Sequence, residues 1–214
     1  SHSSTMDESL HKPLLRIHQQ SQRLANIVDD LLKLSTLESS EPPVFSDKVD
    51  MPKLINACVS QARDLSRGRH TFSIEVDAVL GLRGNAHELE SMLSNLLSNA
   101  VRYTPQQGRI SVSWARQKDA VVLQVQDSGI GIPTEHLSRL TQRFYRVDPG
   151  RSRETGGTGL GLAIVKHILD RHGARLQINS KTDQGSVFIC RFRDNLAVRL
   201  ESSACAISET RKSL

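Results

Sequence analysis

The chain has 214 residues, of which 37% are hydrophobic and 24% are charged, so it can form one compact domain with an appended segment. Its net charge of +5 is scattered along the sequence. Charge alone allows nucleic acid as a partner but nothing else in the sequence supports it, and a phosphate-rich small ligand explains the same excess. Three cysteines without a CxxC pair suit the cytosol rather than a disulfide framework, and no apolar run approaches bilayer length.

Residues 10–38 carry the spacing of one long helix. Apolar or small side chains recur there at alternating steps of three and four, which is typical of a coiled-coil or bundle seam; they are Leu14, Ile17, Ser21, Leu24, Val28, Leu31 and Ser35. Four further residues widen the stripe beyond that of a solvent-facing helix: Ile27, Leu32, Leu34 and Leu37. We expect a partner helix that is missing or belongs to another chain; packing on the helix's own domain is the alternative.

The segments on either side of this helix are interpreted as connections. Residues 1–9 are taken as a leader, flexible or added outside the natural protein. Glu41-Pro42-Pro43 ends the helix and serves as a short linker, because proline cannot continue a helical hydrogen-bond ladder.

The remaining sequence predicts a two-layer sandwich of the α+β class, in which a mixed sheet packs on helices and no βαβ repeat occurs. Helices are predicted over residues 52–66, 85–102 and 160–172, with a short one near 135–140. Strands are predicted over residues 72–76, 109–115, 121–127, 174–180 and 186–193, the last two as a hairpin. Asn85 and Glu88 have the spacing of a capping box. Residues 194–214, rich in serine, are expected to form a flexible tail.

Asn95 and Asn99 lie four residues apart in the second of these helices, so both amides leave it on one face. Mg²⁺ usually combines one or two protein oxygens with substrate phosphates, and an Asn amide supplies an oxygen without adding negative charge. Arg102, near the end of this helix, can reach a phosphate, and Tyr103 can pack near a base or sugar. Taken alone, the segment would be an ordinary polar helix face.

Asp127 ends an apolar strand, and the sequence Ser128-Gly129-Ile130-Gly131-Ile132 after it predicts a tight turn where the backbone can approach a planar ring. A carboxylate there can accept a hydrogen bond from the exocyclic amine of adenine, which guanine does not offer at that position. The segment therefore favours adenine, although by itself it is also a common turn at the end of a strand.

Gly157-Thr158-Gly159-Leu160-Gly161-Leu162 opens the third helix with unpaired backbone amides that a phosphate can approach. It is neither a Walker loop, which would need Lys and Ser or Thr after its last glycine, nor a Rossmann loop, which would follow a strand directly. A long polar loop precedes it, and we predict that this loop is a mobile cover over the phosphates. Its notable side chains are Phe144, Tyr145, Arg146, Arg151 and Arg153.

These three segments, with Phe144-Tyr145-Arg146 between the second and third, resemble the ATP-binding catalytic domain of sensor histidine kinases. That domain has the Bergerat-type ATPase fold, shared with gyrase, mismatch-repair and heat-shock chaperone ATPases. The resemblance extends over about residues 10–193, and residues 143–167 are especially similar to sensor kinases of the phosphate regulon. It implies that residues 45–193 are the catalytic domain and residues 10–40 the second helix of a dimerisation hairpin.

The resemblance also implies ATP and Mg²⁺ as ligands, with the metal held chiefly by Asn99. Asn95 and Arg102 are the implied catalytic residues: hydrolysing relatives carry Glu where Asn95 stands, and an amide cannot accept the proton of a water molecule. The full set of predicted nucleotide contacts is Asn95, Asn99, Arg102, Tyr103, Asp127, Gly129, Gly131, Ile132, Phe144, Arg146, Gly157, Thr158, Gly159, Leu160, Gly161 and Leu162.

The phosphoacceptor motif of the family, His-Glu-Leu-Arg-Thr-Pro, does not occur in this sequence. We therefore expect a fragment that phosphorylates a histidine on a separate dimerisation helix of the full-length kinase, a homodimer in the parent protein. The phosphoryl group would then pass to a PhoB-like response regulator, with no nucleic acid bound by this chain. The fragment is expected in the cytoplasm and its parent in the bacterial inner membrane. A non-catalytic ATP-binding or dimerisation module and an anti-sigma-type serine kinase remain alternatives.

Overall fold

The computed structural model describes residues 3–41, 47–147 and 157–201. In chain order the helices and strands are α1 (Ser3–Ser39), β1 (Lys48–Val49), α2 (Met51–Ser66), β2 (Thr71–Val76), β3 (Leu80–Arg83), α3 (Ala86–Tyr103), β4 (Arg109–Gln117), β5 (Ala120–Asp127), α4 (Thr134–Leu137), α5 (Gly161–Arg171), β6 (Arg175–Ser180), β7 (Ser186–Arg193) and β8 (Ala197–Arg199).

The predicted sandwich is confirmed. Its main sheet has the order β2-β4-β5-β7-β6, with one parallel pair, β2 and β4, and antiparallel pairing elsewhere. Alternate residues of the central strands form one buried face that packs with α2, α3 and α5 in a single apolar core. The largest side chains from that sheet face are Ile110, Trp114, Leu123, Phe188 and Phe192.

The start of α3 departs from the predicted capping box. Asn85 caps the helix as expected, because its side-chain oxygen accepts a hydrogen bond from the Glu88 N–H at 3.1 Å. The reciprocal bond is replaced: the Asn85 N–H donates to Nε2 of the buried His172 at 3.2 Å. The Glu88 carboxylate instead pairs with Arg171 at 3.0 Å, since a nearly buried guanidinium is a stronger partner than a backbone amide.

A second, three-stranded sheet with the order β1-β3-β8 was not predicted. Its strands are two to four residues long, too short for alternation to be recognised. It corrects the expectation of a flexible tail from residue 194, because residues 194–196 form a 3-10 turn and β8 pairs with β3. Residues 202–214, including Cys205, lie outside the described part; Cys58 and Cys190 are free, buried thiols.

Helix α1 begins at Ser3, so most of the segment interpreted as a leader is helical; residues 1 and 2 lie outside the described part, as do Pro42 and Pro43 of the predicted linker. Its end packs on the domain, with Leu34 only 1% exposed. Its earlier apolar residues are exposed, among them Leu14, Ile17, Leu24, Val28 and Leu32. The alternative of packing on the domain therefore holds for the end of the helix, and the partner helix for the exposed stripe stays a prediction. None of the helices in the three described ranges combines the length and hydropathy needed to cross a bilayer.

Arg171, at the end of α5, fixes the end of α1 to the domain. Its guanidinium donates to the backbone carbonyls of Leu37 at 3.0 Å, Ser40 at 2.8 Å and Glu41 at 3.0 Å, and to the Glu88 carboxylate. The last carbonyls of a helix have no partner within it and carry partial negative charge, so a cation there is favourable. One side chain thus joins α1, α3 and α5.

Candidate functional site

The three polar segments of the sequence meet at one cavity of about 360 Å³. It lies between α3, the turn after β5 and the start of α5. Most of the predicted contact residues line it: Asn95, Asn99, Arg102, Tyr103, Asp127, Gly131, Ile132, Arg146, Gly157, Thr158, Gly159, Gly161 and Leu162. Three segments that are separate in sequence therefore share one concave site.

Asn95 and Asn99 form the α3 wall of the cavity. Asn95 Nδ2 donates to the Ser91 carbonyl at 2.9 Å, which turns its amide oxygen towards α5: a Cβ added at Gly161 would lie 2.6 Å from Oδ1. Among the described residues, no group of three or more His, Cys, Asp or Glu side chains could hold a metal ion. The donor set at this wall is amide oxygen, which fits Mg²⁺ carried in with phosphates rather than a metal held by protein alone.

Asp127 lines the same cavity and is only 6% exposed. Its Oδ1 accepts a hydrogen bond from the Gly129 N–H at 2.8 Å. Burial raises the pKa of this carboxyl, and hydrogen bonds from the Gly129 and Ser186 backbone oppose that rise. The same cavity also has apolar lining residues: Ile130, Ile132, Leu140 and Phe188. A buried acceptor in a cavity with apolar walls suits a flat heterocycle that carries an amine.

Two glycines set the backbone around this acid. Gly131 has φ +66°, and a Cβ there would lie 1.9 Å from the Lys181 carbonyl oxygen. Gly185 has φ +84°, and its Cβ would lie 2.0 Å from the Asp127 carbonyl oxygen. The turn after β5 therefore packs backbone to backbone against the β6–β7 turn, and the Asp183 N–H donates to the Ile130 carbonyl at 2.8 Å. Only glycine permits so close an approach.

The part of the cavity beside the glycine segment is basic. A Cβ built on Gly157 would lie 3.3 Å from Arg102 Nη1 and 3.9 Å from Arg146 Nη2, so two guanidinium groups face the glycine segment. Thr158 Oγ1 accepts a hydrogen bond from the Leu160 N–H at 3.2 Å, just before α5 begins at Gly161. Bare backbone, a helix N-terminus and two arginines form an environment for anionic phosphates.

Part of the predicted cover is described up to residue 147. Tyr145 bonds His136 Nδ1 through its hydroxyl at 2.6 Å, and Arg139 stacks on the Tyr145 ring at 4.4 Å. The Phe144 N–H donates to the Gly159 carbonyl at 2.9 Å, which ties the cover to the glycine segment. Arg151 and Arg153, also assigned to the cover, lie outside the described residues.

Three predicted contact residues do not line the cavity. Gly129 lies behind Asp127, where a Cβ would lie 2.5 Å from the Tyr103 carbonyl oxygen, and its function is to hold the acid. Leu160 is fully buried in the core, and the Phe144 side chain is 55% exposed. These three were assigned because they lie within motifs, but a motif includes residues that support the site as well as residues that face it.

The sequence prediction missed one wall of the cavity, which helix α1 supplies through Asn26, Asp29, Asp30 and Lys33. The Thr158 hydroxyl donates to Asp30 Oδ2 at 2.8 Å. The polar face of α1 gave no signal for this role, because charged residues opposite an apolar stripe are normal on any amphipathic helix. Four further residues line the cavity although they were not predicted as contacts: Ser98, Tyr145, Val147 and Ser186.

Comparisons with known proteins agree with this geometry. A family model described as histidine kinase-, DNA gyrase B- and HSP90-like ATPase matches residues 84–196. The chain is 44% identical over 194 residues to the phosphate regulon sensor protein PhoR of Pseudomonas aeruginosa, covering 90% of this chain and 44% of that protein. It is 37% identical over 171 residues to the sensor-like histidine kinase SenX3 of Mycolicibacterium smegmatis, covering 79% and 44%. The chain thus spans less than half the length of these relatives.

A solved structure resembles the domain in three dimensions. The mycobacterial sensor histidine kinase MprB matches with a TM-score of 0.61 and 26% sequence identity, covering 69% of this chain and 96% of that one. The family-model match begins after β3, so it includes Asn95 and Asn99, the buried Asp127 and the glycine segment at residues 157–162. Helix α1 lies outside the match.

Proposed function

This chain belongs to the family of histidine kinase-, DNA gyrase B- and HSP90-like ATPases, and from that membership we propose that it is the ATP-binding catalytic part of a two-component sensor histidine kinase. The observation that carries the proposal is one cavity lined by a buried acid and, beside the glycine segment, by two guanidinium groups. That polarity matches a molecule with an amine-bearing ring and a polyphosphate tail.

In this proposal Asp127 accepts a hydrogen bond from the adenine amine, and the apolar wall packs on the ring. Arg102, Arg146 and the Gly157 backbone bind the phosphates. Asn99, with Asn95 beside it, holds Mg²⁺, which neutralises phosphate charge when it is bound.

The proposed reaction is phosphoryl transfer to a histidine on a separate helix. An imidazole nitrogen forms a bond to the γ-phosphorus while the bond to the β-phosphate oxygen breaks, leaving ADP; the phosphoryl group then passes to an aspartate of a response regulator. Arg102 stabilises the charge that develops on the leaving oxygen. Asn95 carries an amide where a hydrolase needs a base, so water is not activated and transfer to imidazole is favoured.

The partners follow from the relatives and from α1. Similarity to PhoR supports a PhoB-like response regulator and a function in phosphate starvation. The exposed apolar residues of α1 suit a helical hairpin shared by two copies of a parent protein, which would reside in the bacterial inner membrane.

Calorimetry with Mg²⁺ and a non-hydrolysable ATP analogue tests the site. We expect Asn99→Ala to abolish Mg²⁺-dependent binding. Asn179→Ala, on an exposed position of β6, is the matched control and should bind like the wild type. Unchanged affinity in Asn99→Ala would remove the metal assignment.

Labelled ATP tests the reaction. The chain is mixed with a helical hairpin that carries the acceptor hexapeptide, and the stability of the transferred label is measured. An acid-labile, alkali-stable label on the hairpin supports histidine phosphorylation. An acid-stable label would instead indicate a serine kinase, and binding without transfer would indicate a non-catalytic module.

A further inference from the structure

The wall that α1 contributes to the cavity is acidic at the phosphate end. Asp29 and Asp30 both line the cavity, and Asp30 is half-buried with its Oδ2 on the Thr158 hydroxyl at 2.8 Å. Thr158 belongs to the glycine segment that precedes α5. The Asp30 carboxylate therefore accepts the hydrogen bond that the Thr158 hydroxyl could otherwise donate to a bound phosphate.

Charge makes this contact unfavourable for a polyphosphate. Two like charges a few ångströms apart repel, and the repulsion grows where protein walls exclude water. Lys33 lines the same wall and offsets part of the charge, but the two carboxylates outnumber it. A ligand that brings several negative charges to Gly157 and Thr158 meets this wall, whereas a ligand with a single phosphate brings much less charge to it.

The contact is held by the docking of α1 rather than by the loop alone. Leu34 is buried against the domain, and Glu38 pairs with Arg143 and with His167 Nε2, the latter at 3.1 Å. Arg171 binds the last carbonyls of the helix. These contacts keep Asp30 at the cavity, so the position of the helix and the charge at the phosphate end are physically linked.

We propose that Asp30 is a specificity-determining residue of the nucleotide site: its carboxylate competes with the outer phosphates for Thr158, so that the docked α1 lowers affinity in proportion to phosphate charge. This inference rests on the proposed nucleotide function. By linkage, a triphosphate that binds must weaken the docking of α1 by the same factor.

The experiment compares wild type, Asp30→Asn and Asp64→Asn by calorimetry with Mg²⁺ plus the non-hydrolysable ATP analogue, and with AMP. Asparagine keeps an oxygen that can accept from Thr158 but removes the charge. We expect Asp30→Asn to bind the ATP analogue about five- to tenfold more tightly and AMP unchanged. Asp64, exposed on α2, is the charge-matched control and should change neither.

Hydrogen exchange gives the reciprocal measurement. In the wild type, saturating ATP analogue should speed the exchange of amides in residues 26–38, and Asp30→Asn should show a smaller response. Equal or weaker binding of the ATP analogue by Asp30→Asn, with the wild type binding normally, overturns the inference and leaves Asp30 as a structural partner of Thr158. Absence of binding by every variant, the wild type included, would instead refute the nucleotide function itself.

Discussion

The two ends of the cavity are built in different ways. At the Asp127 end, backbone packs on backbone: the turn after β5 and the β6–β7 turn meet at two glycines with positive φ, and the acid is held by the backbone of Gly129 and Ser186. At the Thr158 end, side chains from distant segments meet: Arg102 from α3, Arg146 from the cover and Asp30 from α1.

The difference separates what is fixed from what can change. A wall made of backbone contacts has few alternative arrangements, so ring recognition is preorganised. A wall made of long side chains and a docked helix can rearrange when a charged ligand arrives, because side-chain contacts are individually weak. We therefore expect substitutions at the first end to affect the fold, and substitutions at the second to affect the coupling of α1 to the site.

The largest effect is expected for Gly131→Ala, which breaks the rigid end. The added Cβ would overlap a backbone oxygen at a positive φ, so we expect a loss of at least about 4 kcal/mol in the free energy of unfolding, measured by urea denaturation. Gly68→Ala is the control, because Gly68 also has a positive φ but no atom within 4 Å of the added Cβ. It should lose only about 1 kcal/mol. Similar losses for both would mean that conformational strain, and not backbone contact, decides the cost.

Arg171→Ala should release the end of α1, the helix that forms the movable wall of the cavity. Removing the guanidinium leaves Glu88 without its ion-pair partner and several α1 carbonyls without a donor, so we expect a loss of about 3 kcal/mol. Hydrogen exchange should rise in residues 35–41 and stay unchanged at the β6–β7 turn. Arg175→Ala, on an exposed residue, is the control. If the α1 amides are equally protected from hydrogen exchange in both variants, Leu34 and Glu38 suffice to dock the helix.

Asp127→Asn should weaken binding of the ATP analogue about 10- to 100-fold, because a hydrogen bond to a charged acceptor contributes about 1.5–3 kcal/mol. The inosine counterpart has a carbonyl oxygen in place of the exocyclic amine, so it should bind the wild type poorly and the variant, whose amide can donate to that oxygen, no more weakly in the same calorimetric titration. Asp170→Asn, on the surface of α5, should leave both affinities unchanged. An equal loss for the adenine and inosine ligands would show that Asp127 acts through the fold of the turn rather than through the amine.

The smallest effect concerns the pH dependence of stability at the start of α3, the helix that carries Asn95 and Asn99. Burial lowers the pKa of His172 from its ordinary value of 6.5, and the neutral ring accepts the Asn85 N–H at the start of α3. The unfolded chain therefore binds a proton first as the pH falls. Stability from this group is complete above pH 6.5 and declines below it, by on the order of 1 kcal/mol per pH unit.

His172→Gln tests this dependence, because glutamine keeps an acceptor oxygen and does not titrate. Urea denaturation between pH 7 and pH 5 should give a shallower decline in the free energy of unfolding for the variant than for the wild type. Parallel curves would show that other groups account for the acid sensitivity.

The sequence predicted part of the rigid end and less of the movable one. Asp127, Gly129 and Gly131 lie within one short motif, so local spacing predicted the turn after β5, whereas the approach of Gly185 from the β6–β7 turn was not predicted. Asp30 reaches Thr158 across 128 positions, and no local pattern encodes such a contact. The strands β1 and β8 were missed for a related reason: each is defined by its pairing with β3 rather than by its own alternation. The capping box predicted the Asn85 backbone N–H as the partner of the Glu88 side chain. That prediction was wrong because Arg171, the observed partner, is near Glu88 only in the folded chain.

The hydrogen bond from the Phe144 N–H to the Gly159 carbonyl joins the two ends of the stretch from residue 145 to residue 158. The closure entropy of a flexible chain grows slowly with length, and each doubling adds only about 0.6 kcal/mol. An insertion within this stretch should therefore cost little closure entropy, provided that Arg146, Gly157 and Thr158 stay at the cavity. A fluorophore or a peptide tag grafted between Val147 and Gly157 would then report on occupancy of the cavity.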